Sequence, residues 1–155
     1  MNKKINIRQA TKADIPYLLD LIKELAIFEK APNQVINTPE LMEKDGFGEN
    51  NIFDAFVAET DGHVIGMAIT YFRYSTWKGK RLYLEDLIVT EKSRGLGAGQ
   101  LLFQHCIQFG KESECNGMVW QVLDWNESAI RFYRKYGASF DGEWVNCTLP
   151  THESI

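Results

Sequence analysis

The stretch from Leu84 to Gly99 constrains this chain more than any other. Leu84-Glu85-Asp86-Leu87-Ile88-Val89 reads as a buried strand carrying two carboxylates, and Arg94-Gly95-Leu96-Gly97-Ala98-Gly99 follows it as a glycine-rich turn. Behind the turn, Leu101, Leu102, Cys106 and Phe109 recur at the spacing of one helix face. A strand that enters a helix through such a turn lines up successive backbone N–H groups, continued by the unpaired N–H groups of the helix start, into a concave anion site. Glycine permits the turn and Arg94 adds charge, so phosphates are the natural occupants. Two nucleotide-loop patterns do not fit. The Lys-Ser/Thr pair of G-x-x-x-x-G-K-[ST] is missing, and Gln100 stands where G-x-G-x-x-G needs its last glycine.

The remaining pattern is that of one α/β domain spanning residues 1–155. Ile5-Asn6-Ile7-Arg8 alternates as a strand, and Thr11-Lys12-Ala13-Asp14 resembles a capping box opening a helix with Ile15, Leu18, Leu19, Ile22, Leu25 and Ala26 on its inner face. Between Ala31 and Asn51 prolines and glycines break the pattern, and Thr38-Pro39-Glu40 starts a short helix. Residues 55–58 and 64–72 read as strands joined by Asp61-Gly62, a hairpin signal, with a further strand over 81–89. Met118 to Leu123 reads as a strand, Asn126 caps a helix ending before Gly137, Phe140 to Leu149 forms a last strand, and Pro150 to Ile155 is a frayed tail.

A formal net charge of -4 argues against nucleic acid as the main ligand and favours cationic partners. Cys106, Cys115 and Cys147 are odd in number and lack a C-x-x-C pair, which points to a reducing compartment without a disulfide framework. No apolar stretch approaches the roughly 20 residues of a membrane span, and the N-terminus shows no signal region, so a cytoplasmic protein is expected. His63, His105 and His152 have no ligand spacing, and no metal is expected.

Arg94-x-x-Gly97-x-Gly99 after a strand matches the R/Q-x-x-G-x-G/A signature of GNAT-type acetyltransferases, which the chain resembles from about Ile7 to Trp144. Tyr83-Leu84-Glu85-Asp86, Asp45-Gly46-Phe47-Gly48, Trp77-x-Gly79, Trp125-Asn126-Glu127 and Phe132-Tyr133 with Gly137-Ala138 look like the diamine (spermidine/spermine) acetyltransferase branch. Val122-Leu123-Asp124-Trp125-Asn126 is closer to the thialysine acetyltransferase relatives, and the segment from Phe140 to Trp144 is shortened relative to the polyamine enzymes. The resemblance implies the GNAT fold: a mixed twisted sheet flanked by helices, splayed between the Leu84 and Val119 strands to admit pantetheine. It also implies acetyl-CoA as cofactor, a small primary amine as acceptor and a homodimer.

Site roles follow from the chemistry and the resemblance together. A primary amine with a pKa near about 10.4 must lose a proton before it attacks a thioester. Glu85, directly or through a water, is the expected base, unless it is held in a structural ion pair with Arg81 or Arg73. Strand alternation sends Glu85 and Asp86 to opposite faces, leaving Asp86 to support the strand or the substrate ammonium. The resemblance makes Tyr133 the acid that protonates the coenzyme sulfur, the alternative being a core tyrosine in the stripe Ile130, Phe132, Tyr133, Tyr136. Expected cofactor contacts are Leu87, Ile88, Val89, Arg94, Gly95, Leu96, Gly97, Ala98, Gly99, Gln100, Asn126, Ala129 and Tyr133. Phe28, Glu29, Trp77, Asp124 and Trp144 join Glu85 and Asp86 as the expected acceptor pocket, with Trp125 and Glu143 as further members, because carboxylates and aromatic faces stabilise cations. A rival reading makes the chain a non-catalytic acyl-CoA-binding regulatory module.

Overall fold

The alternating segments become strands of one sheet in the computed structural model, which describes residues 4–152. The chain divides after Gln121 into two compact units. In the first unit β1 (Asn6–Gln9), β2 (Asp54–Thr60), β3 (His63–Ser75) and β4 (Gly79–Val89) run antiparallel in succession, and β5 (Met118–Trp120) joins β4 in parallel. β2, β3 and β4 follow one another through short turns, whereas α1 (Ile15–Phe28) and α2 (Pro39–Phe47) lie in the long connection between β1 and β2. The parallel pair needs a crossover, which α3 (Ala98–Glu112) supplies. Between β2 and β3, Asp61 and Gly62 both take positive φ, 50° and 77°, as a type I′ hairpin turn requires.

Alternation assigns the two faces of the sheet. Ala55, Val57, Met67, Ile69 and Ile88 form one core cluster with Leu18, Leu19 and Leu21 of α1 (Ile15–Phe28) and Met42 of α2 (Pro39–Phe47). On the other face Phe56 sets its ring edge against Phe109 of α3 at 5.0 Å, and the α3 residues Leu102, Phe103 and Cys106 are buried. Ahead of α1 the Thr11 N–H donates to Asp14 Oδ2 at 2.7 Å, but the box opens a single 3-10 turn before the helix proper. Asp14 also receives Arg8 through two hydrogen bonds, 2.8 and 3.0 Å, which ties β1 to the start of α1.

The second unit contains α4 (Glu127–Lys135), with Asn126 as its N-cap and Gly137 at φ 78° just beyond its end. The strand expected over Phe140 to Leu149 is absent. Asp141 accepts the Glu143 N–H at 3.0 Å and the Trp144 indole N–H at 2.9 Å, so local side-chain bonds hold the segment in a turn that competes with an extended strand. β5 likewise stops at Trp120 instead of reaching Leu123. Of the expected tail, residues 150–152 carry no regular structure and residues 153–155 lie outside the described part.

Candidate active site

The strand bearing the two carboxylates contains a β-bulge. Leu84 pairs with Thr70 and Asp86 with Ile69, so Glu85 is an extra residue without a partner across the ladder. The bulge shifts the phase of the strand. Leu84 shares the α3 face with Thr70, whereas Asp86 shares the α1 face with Ile69, and the Tyr71 hydroxyl donates to Glu85 Oε2 at 3.1 Å from that same side. The opposite faces expected from strict alternation are therefore corrected: both carboxylates are presented toward α1. Bulges can re-aim side chains in this way, and a sequence read with period two gives no sign of one.

Neither arginine named as a structural partner of Glu85 holds it. Arg81 donates to Asn116 Oδ1 at 3.2 Å, and the Arg73 guanidinium lies 5.6 Å from the Tyr83 ring centroid. Glu85 is exposed and bonded to Tyr71, whose ring stacks on Tyr83 at 5.1 Å. Sequence reasoning missed Tyr71; as one of many strand aromatics it carries no distinguishing signal.

Asp86, Glu85 and Glu29 form an acidic group. Burial, then the charges of Glu85 and Glu29, push the Asp86 carboxyl up to about 7. Burial also raises Glu29, at the C-terminal end of α1, and burial followed by the Glu85 charge lifts the Tyr71 hydroxyl to about 12. Repulsion of the half-buried Asp86 carboxylate by its two neighbours is relieved by one bound cation. The same group can take a proton from an ammonium ion.

Beyond Leu84, β4 continues through Glu85, Asp86, Leu87, Ile88 and Val89 while its pairing to β5 ends at Leu84 and Trp120. Among the described residues no strand pairs with β4 on that side over this stretch. The glycine loop has the backbone of a tight turn. Gly95 and Gly97 have φ of 83° and 90°, and a side-chain carbon built on either meets nothing within 4 Å. Among the described residues the backbone N–H groups of Gly95, Leu96, Gly97, Ala98, Gly99 and Gln100 have no hydrogen-bond acceptor, and the α3 ladder begins with Leu101 N–H to Gly97 O at 3.1 Å. Consecutive unpaired backbone donors at a glycine turn and a helix start can hold an anion.

Arg94, expected to add charge at the phosphate site, also contacts its own surroundings. Its Nε donates to Val89 O at 3.1 Å, its Nη2 lies 3.9 Å from Glu24 Oε2, and its guanidinium sits 5.6 Å from the Phe28 ring centroid. Glu24 belongs to the same cluster. It accepts from the Thr90 hydroxyl at 2.8 Å and from the Glu91 N–H at 3.1 Å, contacts that no spacing in the sequence signals.

Phe28, Glu29, Glu85 and Asp86 are therefore gathered near the loop. Trp77, 85% exposed, is not; it sits in the β3–β4 turn, about 20 Å along β4 from Glu85 at strand rise. In the second unit Asn126 Oδ1 accepts the Ala129 N–H at 3.3 Å, so both residues are engaged in the helix cap. Tyr133 is buried at 8% exposure with Phe132 beside it, whereas Asp124, Trp125, Glu143 and Trp144 are exposed.

Residues 19–138 match the acetyltransferase (GNAT) family. The chain is 37% identical over 142 residues to the thialysine N-epsilon-acetyltransferase of Bos taurus, covering 86% of this chain and 84% of that protein. It is 37% identical over 139 residues to the spermidine/spermine N(1)-acetyltransferase-like protein 1 of Homo sapiens, covering 85% of this chain and 20% of that protein. Among solved structures, an aminoglycoside N-acetyltransferase, AAC(6')-Iy, in complex with CoA superposes with a TM-score of 0.77 at 19% identity over 98% of both chains.

Proposed function

The chain belongs to the acetyltransferase (GNAT) family, and on that premise we propose that it transfers acetyl from acetyl-CoA to a small primary amine of the diamine or lysine-like type, by direct attack of the amine. The observation that carries the reading is the placement of Glu29, Glu85 and Asp86 beside an open loop of unpaired N–H donors. The coenzyme supplies a thioester whose acetyl carbon is open to a neutral amine.

The loop from Gly95 to Gln100 holds the diphosphate through backbone N–H groups, and the open edge of β4 at Leu87, Ile88 and Val89 offers backbone groups to the pantetheine arm and acetyl carbonyl. An N–H aimed at the carbonyl oxygen gains as negative charge develops there. Glu29 and Asp86 attract the ammonium, and Glu85 takes its proton directly or through a water. Phe28 adds an aromatic face. By its place in the family pattern, Tyr133 supplies the proton to the departing sulfur, with Asn126 and Ala129 at the cap of its helix. Trp77, Asp124 and Trp144 remain assigned to the acceptor on the resemblance alone.

The same reading makes the chain one acetyltransferase domain acting as a cytoplasmic homodimer, independent of nucleic acid and membrane. Among the described residues no helix is long and apolar enough to cross a membrane, and the net charge of -4 suits cationic substrates. The test is a panel of amines assayed with acetyl-CoA, including spermidine, short diamines, thialysine, lysine and glycine. Preferential turnover of diamines or thialysine supports the proposal. Polyamines turning over no better than glycine or lysine removes the diamine reading, and coenzyme binding without turnover on any amine replaces the enzyme with a binding module.

A further inference from the structure

We infer that Glu24 of α1 is a positioning residue that sets the diphosphate loop, acting through Thr90, Glu91 and Arg94. This inference rests on the coenzyme-binding reading above. Both Glu24 oxygens are engaged: Oε1 accepts from the Thr90 hydroxyl at 2.8 Å, and Oε2 accepts from the Glu91 N–H at 3.1 Å with Arg94 Nη2 3.9 Å away. These contacts span the connection between the end of β4 and the first glycine.

That connection is a chain of coupled bonds. Thr90 N–H donates to Ile65 O at 2.8 Å, and the turn Glu91–Ser93 closes through Ser93 N–H to Thr90 O at 2.9 Å and Arg94 N–H to Glu91 O at 3.2 Å. Arg94 then turns back, with Nε on Val89 O at 3.1 Å and its guanidinium over Phe28. Gly95 and Gly97 lack side chains to fix their own conformation, so the direction in which the loop leaves is set at its start. Glu24 fixes that start from a helix on a different part of the fold.

An apolar side chain at this position would pack α1 against the turn without engaging the Thr90 hydroxyl or the Glu91 N–H. What the carboxylate adds is a pair of acceptors that holds the Thr90 hydroxyl and Glu91 N–H together and orients the Arg94 fork.

The consequence is an effect on coenzyme affinity rather than on turnover. Glu24→Ala and Thr90→Val each remove the hydroxyl-to-carboxylate bond, and Thr90→Ser retains it. In steady-state kinetics, Glu24→Ala and Thr90→Val are expected to raise the KM for acetyl-CoA about tenfold with kcat within about twofold, as lost charge-assisted hydrogen bonds permit. Thr90→Ser stays at the wild-type KM. Calorimetry with coenzyme A gives the matching loss of affinity. A variant that merely misfolds loses active fraction and so lowers kcat at unchanged KM, which thermal unfolding and circular dichroism identify; the Thr90 pair then decides the matter independently. Coenzyme affinity equal in wild type, Glu24→Ala and Thr90→Val overturns this inference alone, as does Thr90→Ser behaving like Thr90→Val. Absence of coenzyme affinity in the wild type refutes the functional reading and, with it, the role assigned to Glu24.

Discussion

Replacing Asp86 by asparagine tests the acidic group through stability rather than activity. The folded protein holds the Asp86 carboxyl at about 7 against an ordinary value of 3.8, with burial the leading cause and the Glu85 and Glu29 charges adding to it. Between these two values the folded chain keeps a proton that the unfolded chain has released. Stability therefore falls as pH rises through this window, and the contribution approaches about 4 kcal/mol once the carboxyl is ionised in both states. Asp86→Asn keeps the shape and removes the titration. Urea unfolding of both proteins at pH 5 and pH 8 isolates the difference, since Glu29, whose carboxyl is also raised, is present in each. The wild type is expected to lose about 2–3 kcal/mol more stability than the variant on going from pH 5 to pH 8, the part of the window above pH 5, and a saturating amine should reduce that loss by pairing with the ionised group. Equal pH slopes for the two proteins, or a larger loss in the variant, refute the reasoning.

Gly97→Ala places a side chain at φ 90°, a left-handed conformation that costs about 1–2 kcal/mol, and the exposed loop is expected to relieve it by moving, weakening coenzyme A binding about tenfold. Calorimetry checks this, and an unchanged Kd counts against the loop. Tyr133→Phe is expected to lower kcat about 100-fold with a chemistry-limited amine while sparing the KM for acetyl-CoA; stopped-flow or steady-state assays showing an unchanged rate remove the hydroxyl from the mechanism. Asp14→Ala removes two Arg8 hydrogen bonds, leaving the guanidinium its contact with Glu59 Oε2 at 3.2 Å, and should destabilise the fold by about 2 kcal/mol in urea titrations at pH 7. The Arg8 hydrogen bonds hold the Asp14 carboxyl below its ordinary value of 3.8, so this contribution is full at neutral pH and is lost as pH falls below the carboxylate range.

The fold was legible wherever local chemistry decides. Asp61-Gly62 announces its hairpin because few residues accept two positive φ angles in succession, and Asn126 announces α4 because its side chain can accept the Ala129 N–H. The tight turn at Gly95 and Gly97, both at positive φ, was legible for the same reason. Contacts set by tertiary register were not. The bulge at Glu85 arises from how β4 meets β3, and it overturned the alternation that placed Glu85 and Asp86 on opposite faces. Glu24 looks like any acid on a helix surface until Thr90 and Glu91 are brought to it. The strand expected at Phe140 to Leu149 failed because Asp141 offers its neighbours nearer acceptors than a sheet would, a competition that apolar content alone does not reveal.

The central claim is that the N–H groups from Gly95 to Gln100 grip a diphosphate and aim a thioester at the carboxylate-bearing bulge. Titration calorimetry of the folded protein with coenzyme A and, separately, with pantetheine addresses it most directly. The account predicts saturable binding of coenzyme A and an affinity for pantetheine, which lacks the diphosphate, lower by about 100-fold or more. No affinity for coenzyme A, or equal affinity for the two, contradicts it.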